Sequence, residues 1–218
     1  MKRLRSNYLT QKQGFALIEL LMSVFIFSIL ASTLYSLLTL SQITVRAHDV
    51  HARISFDGMQ VLRTLNRELS QTSYTTDRLV ITTDGNGNSV VRFQIPVDYD
   101  NDGDVITSNL TKSVEWGAYD KFGETQRGSG SDPLNRWARY SVTSGQLIRE
   151  VLDSMLAVVA GTTTVIHNDV QSFTVTQNGT YLTLSTTLSV IETTGQSGKT
   201  RTLQETFNHR INLGNVPT

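Results

Sequence analysis

The chain has 218 residues, no cysteine and a formal net charge of zero, from 19 basic and 19 acidic residues. The absence of cysteine excludes disulfide staples, thiolate metal sites, a catalytic thiol and a lipidated cysteine. The charge is unevenly spread: residues 1–14 hold Lys2, Arg3, Arg5 and Lys12 and no acid, which leaves 15 bases against 19 acids, a net of −4, on the remainder. A body of that sign is not built for nucleic-acid phosphates.

The basic leader is followed by an apolar run, Phe15 to Leu40, that holds one charge, Glu19, and the next charge is Arg46. As a helix this run is about 39 Å long at about 1.5 Å per residue. That exceeds the roughly 30 Å hydrocarbon core of a bilayer. A secretory signal has a shorter apolar region and a small-residue cut site after it. Here the small residue, Gly14, comes before the run. The basic leader predicts a cytoplasmic N-terminus and an exported remainder. A carboxylate in lipid is expensive, so Glu19 needs a reason. One reason is position, since an anion complements the dipole at a helix N-terminus.

From Ser41 to about Gln71 the apolar positions Ile43, Val50, Ile54, Met59, Val61, Leu62, Leu65 and Leu69 recur at helical spacing among charged partners. The spacing predicts an amphipathic continuation of the same helix over 41–72, packed on the chain's own globular domain, with Gly58 as a weak point and SQTSYTT as its end. Strands follow. LVITT (79–83) and SVVRFQIP (89–96) flank the turn cluster DGNGN, and WARYSVT (137–143) and QLIREVL (146–152) flank Ser144-Gly145. DVQSFTVTQ and TYLTLSTTLSVIE meet at Asn178-Gly179, a type I′ signal. In the second of these, Leu182, Leu184, Thr186, Leu188 and Val190 alternate with polar partners, as in a half-buried strand. TRTLQETFNHRINL (200–213) is read as closing the sheet, and 98–135 as loop-rich. The predicted class is α+β: a long N-terminal helix packed on a mainly antiparallel β domain.

Three motifs carry possible chemistry. TTGQSGKTR (193–201) imitates a phosphate-binding loop, but Thr193 stands where the first glycine belongs and both flanks read as strand, so a hairpin loop is expected. The four histidines, His48, His51, His167 and His209, lack zincin spacing, and no G-x-S-x-G elbow occurs. No catalysis is expected. In VDYDNDGDVI (97–106), Asp98, Asp100 and Asp102 alternate and are followed by Gly103 and Asp104, the first half of an EF-hand-like calcium loop. Position twelve is Asn109 rather than the bidentate Glu, and flanking helices are not expected. A calcium-stabilised surface loop and an acidic solvated turn both remain open.

KQGFALIELLMSVFIFSIL resembles the class III signal of type IV prepilins and type II secretion pseudopilins: a basic leader, Gly14, Phe15, three apolar residues, Glu19 and a long apolar helix. The resemblance implies that a membrane prepilin peptidase cuts between Gly14 and Phe15 and N-methylates Phe15. It also implies a role for Glu19, whose carboxylate would pair with the N-terminal amine of a neighbouring subunit during assembly. RYSVTSGQLIRE and VIHNDVQSFTVT resemble the globular domain of J-type minor pseudopilins and related minor pilins. Major type IV pilins often close their C-terminal region with a disulfide, so the lack of cysteine argues against that subtype.

The expected organisation is a leader at 1–14, a transmembrane and filament-core helix at 15–40, its amphipathic continuation at 41–72, and an exported β-rich domain at 73–218. The expected function is that of a minor pilin-like subunit of a type IV pilus or type II secretion pseudopilus, placed first in the bacterial inner membrane. Its implied partners are prepilin peptidase, other pilin or pseudopilin subunits, an inner-membrane assembly platform and membrane lipid, with no nucleic acid. Two rival readings stand beside it. One is a competence or DNA-uptake pilin. The other is a single-span anchor carrying an exported β domain for ligand binding or adhesion.

Overall fold

A computed structural model of the chain describes residues 6–106, 113–124, 132–194 and 199–213. Helix α1 spans Ser6–Leu69, and the chain divides into two units, Met1–His51 and Ala52–Thr218.

The first unit is helical throughout its described residues. From Leu17 to Leu40 its large apolar side chains stand exposed, and the helix is long and apolar enough to cross a membrane. Hydroxyls in this stretch turn inward on their own helix. Ser23 Oγ donates to the Glu19 carbonyl, Ser28 Oγ to Val24 and Thr39 Oγ1 to Tyr35, at 2.8–2.9 Å. Each such bond satisfies a polar group that has no water to turn to in lipid.

The second unit opens with the last turns of α1. Ile54, Gly58, Val61, Leu65, Glu68 and Leu69 fall at three- and four-residue steps and are all buried, so one stripe of the helix packs on the β domain as the periodicity predicted. Met59, apolar but off that stripe, is exposed. Gly58 has a packing reason. A side chain there would run into the Phe207 ring, so glycine lets helix and strand approach closely. The helix ends at Leu69, followed by hydrogen-bonded turns in which Gln71 N donates to Glu68 O and Thr72 N to Leu69 O.

The strands are β1 (Leu79–Thr83), β2 (Ser89–Phe93), β3 (Ile95–Pro96), β4 (Trp116–Gly117), β5 (Trp137–Thr143), β6 (Gln146–Leu152), β7 (Thr164–His167), β8 (Val170–Asn178), β9 (Tyr181–Thr194) and β10 (Lys199–Asn212). All pairings are antiparallel. They form a five-stranded sheet ordered β1-β2-β5-β6-β7, a three-stranded sheet ordered β10-β9-β8, and the short pair β3-β4. β10 therefore does not close a single sheet, because among the described residues its only ladder is with β9. Side chains join the sheets instead. The Asn88 carboxamide accepts from Phe173 N at 3.0 Å, and Ser89 Oγ accepts from Val175 N at 2.8 Å. In this way the start of β2 satisfies backbone donors of β8 that have no strand beside them.

The β5–β6 turn, expected as a hairpin at Ser144-Gly145, has positive φ at both residues, which is the type I′ pattern. The β8–β9 turn differs from expectation. Asn178 pairs with Tyr181, so the central residues are Gly179 and Thr180, and of these Gly179 alone has positive φ. That pattern is type II′ in kind, one residue on from the predicted I′ pair. Burial set the register here: Val175 faces Leu184 and Phe173 faces Thr186, all inward, and a one-residue slip would turn every one of them outward. The TTGQSGKTR segment joins β9 to β10 as a hairpin with Thr194 opposite Lys199, while 195–198 lie outside the described residues.

Candidate functional site

Three places hold chemistry, and the sequence anticipated two. The first is the start of α1. Gly14 and Phe15 lie within its helical span, and Glu19 is exposed one turn beyond Phe15. Glu19 is the only charge on a helix surface that is apolar from Leu17 to Leu30 apart from Ser23 and Ser28, with Leu20, Leu21 and Met22 next to it in sequence.

The second is the acidic loop between β3 and β4. Its base is stapled by Glu115: the Glu115 carbonyl accepts from Val97 N at 2.8 Å, its N–H donates to the Val105 carbonyl at 2.9 Å, and its carboxylate accepts from Tyr99 N at 2.9 Å. The loop curls through two residues with positive φ, Asn101 and Gly103. Gly103 N donates to Asp98 Oδ2 at 3.1 Å, and Asp104 N to Asp102 Oδ1 at 2.8 Å. As a result Asp98, Asp100 and Asp102 each place a carboxylate oxygen within 4.8 Å of the others. Asp104 is not part of this trio; its Oδ1 accepts from Val105 N. Asn109 lies outside the described residues.

Burial is unequal within the trio. Asp100 and Asp102 are exposed, whereas Asp98 is only 6% exposed. Asp98 N donates to the Tyr119 hydroxyl at 2.7 Å. Burial raises the Tyr119 phenol above its ordinary range, and the nearby negative charges of Asp98 and Glu115 push the same way against the lowering effect of the Asp98 N–H. Among the described residues, Asp98 Oδ1 is buried and has no hydrogen-bond partner.

The third place was not anticipated. Arg149 of β6 is fully buried, and its guanidinium holds Glu68 of α1 through Nε at 3.0 Å and Nη2 at 2.9 Å. Its remaining donors reach the Tyr119 carbonyl at 3.0 Å and the Asp120 carbonyl at 3.3 Å. Tyr140 of β5 donates to Glu68 Oε2 at 2.7 Å and stacks on Phe93, ring centres 5.5 Å apart. Burial, and after it the Glu68 charge, push the Tyr140 phenol well above its usual value. A signal for this cluster was present in QLIREVL. Apolar residues occupy both parities, Leu147 and Val151 on one and Ile148 and Leu152 on the other, so both faces of β6 are covered and its charges must be inside. The cluster is a structural anchor: a buried ion pair with its hydrogen bonds satisfied, tying the end of α1 to the sheet.

Residues 9–35 match the family model for the prokaryotic N-terminal methylation motif, the type IV prepilin and pseudopilin signature, and the match is confined to that segment. No curated protein and no solved structure matches the chain.

Proposed function

From the prepilin signature seated on an exposed apolar helix, we propose that this chain is a minor pilin-like structural subunit. The signature supports a type IV pilin-like precursor that prepilin peptidase processes. In this reading the peptidase cuts between Gly14 and Phe15 and N-methylates Phe15. The helix then holds the subunit in the bacterial inner membrane, its N-terminus cytoplasmic and its β domain on the other side, until it passes into a type IV pilus or a type II secretion pseudopilus.

The observation that carries this proposal is the match at 9–35, whose span contains Gly14, Phe15 and Glu19. The physical role assigned to Glu19 follows from its surroundings. A lone carboxylate among leucines is costly in an apolar medium, and a neighbour's N-terminal amine would neutralise it. A subunit out of register would leave the charge unpaired, so the pairing selects one register. Other pilin or pseudopilin subunits and an assembly platform in the membrane are the partners this requires.

Glu19→Ala tests it. The variant should still insert and be cut, since neither step uses the intersubunit pair, but its recovery in sheared filaments should fall at least severalfold against wild type. Recovery at the wild-type level would remove the registry role. A simple membrane anchor predicts no filament fraction for either protein.

A further inference from the structure

We propose that Asp98, Asp100 and Asp102 form a binding site for a hard divalent cation, and that calcium is the cation it takes. The proposal does not depend on the pilin reading, since it concerns the β domain alone.

Two independent observations carry it. The first is convergence, with three carboxylate oxygens lying within 4.8 Å of one another. Carboxylates so close repel one another unless something positive stands between them. The second is Asp98 itself. It is 94% buried, by its 6% exposure, and among the described residues its Oδ1 has no donor. Buried polar atoms are nearly always satisfied, and a buried carboxylate oxygen without a donor, beside two further carboxylates, is the wrong arrangement for an isolated turn. A cation between the three supplies what Oδ1 lacks and removes the repulsion together. No Lys or Arg does so: Asp98 is absent from every ion pair among the described residues.

The chemistry of the donors selects the ion. All three ligands are carboxylates, which suit hard cations. Calcium binds oxygen at about 2.3–2.6 Å with six to eight ligands in flexible geometry, whereas magnesium demands a near-ideal octahedron and keeps its own water. The three carboxylates offer up to six oxygens, two of which, Asp98 Oδ2 and Asp102 Oδ1, already accept from Gly103 N and Asp104 N. Asp100 and Asp102 are exposed, so water can complete the shell. Positive φ at Asn101 and Gly103 bends the backbone so that alternate side chains point to one centre. The site is also wired to the fold. Asp98 N donates to the Tyr119 hydroxyl, and the Tyr119 carbonyl accepts from Arg149, which holds Glu68. A cation there therefore stiffens a loop that is linked, through Tyr119 and Arg149, to the last turn of α1 within the second unit.

The test uses the full chain in detergent micelles, with calcium chloride, magnesium chloride or EDTA. At calcium a hundredfold above Kd, the folding constant of the β domain should rise about a hundredfold. Its near-ultraviolet melting, reported by Trp116 and Trp137, should shift up by roughly 5–10 °C, and magnesium at equal concentration should shift it less. Terbium should bind in place of calcium and emit on tyrosine excitation, since Tyr99 lies in the loop, and calcium should quench that emission by displacement. Asp100→Ala with Asp102→Ala should abolish both responses.

Asp98→Asn keeps an acceptor for Gly103 N while removing the buried charge. It should be at least as stable as wild type in EDTA and yet weaken calcium at least tenfold. Wild-type melting that ignores several millimolar calcium, or an Asp98→Asn protein that keeps the wild-type calcium midpoint, would overturn the proposal.

Discussion

Tyr140, Glu68 and Arg149 show how single side chains hold the second unit together. Glu68 is buried with two partners, Arg149 and the Tyr140 hydroxyl. Arg149→Met strands the carboxylate and should cost about 3–5 kcal/mol, whereas Arg149→Met with Glu68→Met should cost less than Arg149→Met alone. Tyr140→Phe removes one donor and should cost about 1–3 kcal/mol. Urea unfolding of the full chain in detergent, with an unchanged slope, measures all three. The same network sets an alkaline limit. Burial first and the Glu68 charge second raise the Tyr140 phenol above 10.0 in the folded state. Its stabilising contribution is thus intact below pH 10 and is lost as the pH climbs from there toward the folded value. Tyrosinate absorbance should accordingly lag behind that of free tyrosine and then rise together with unfolding. Thr186 supplies the opposite case. Its hydroxyl is buried without a partner among the described residues, so Thr186→Val should raise stability by about 1 kcal/mol in the same unfolding series.

At the scale of elements, most of what was legible came from periodicity. The steps through Ile54, Val61, Leu65 and Leu69 gave the helix face, and the alternation from Leu182 to Leu188 gave the buried face of β9. Both signals come from residues that face one side consistently. What the sequence concealed was long-range. Nothing local in TRTLQETFNHRINL says that β10 pairs with β9 rather than with the five-stranded sheet, and Asn178-Gly179 was outweighed by the burial of Phe173, Val175 and Leu184. Strand β7 is short and exposed or half-exposed throughout, so it carries little alternation. Gly58 belongs here too. Read alone it is a weak helix position, but it is where α1 meets Phe207 of β10. Gly58→Leu should destabilise by about 1–3 kcal/mol through overpacking. The loss should be smaller when Phe207→Ala opens the space, a coupling that a double-mutant cycle reads directly.

Across the whole molecule, each unit speaks to function in a different way. The first was readable because its signature is linear: Gly14, Phe15 and Glu19 are spaced along one helix inside the matched segment, and spacing is what a sequence displays. The second was readable only in part. Asp98, Asp100 and Asp102 announced themselves by alternation. The burial of Asp98, on which the proposed cation site turns, goes with its hydrogen bond to Tyr119, 21 residues further on. The central claim concerns the first unit, and one measurement reaches it directly. Intact mass spectrometry of the protein, extracted from membranes of cells with an active prepilin peptidase, should show a chain that begins at N-methyl-Phe15, and Gly14→Arg should leave the leader in place. A wild-type chain that still begins at Met1 in those cells would contradict the account.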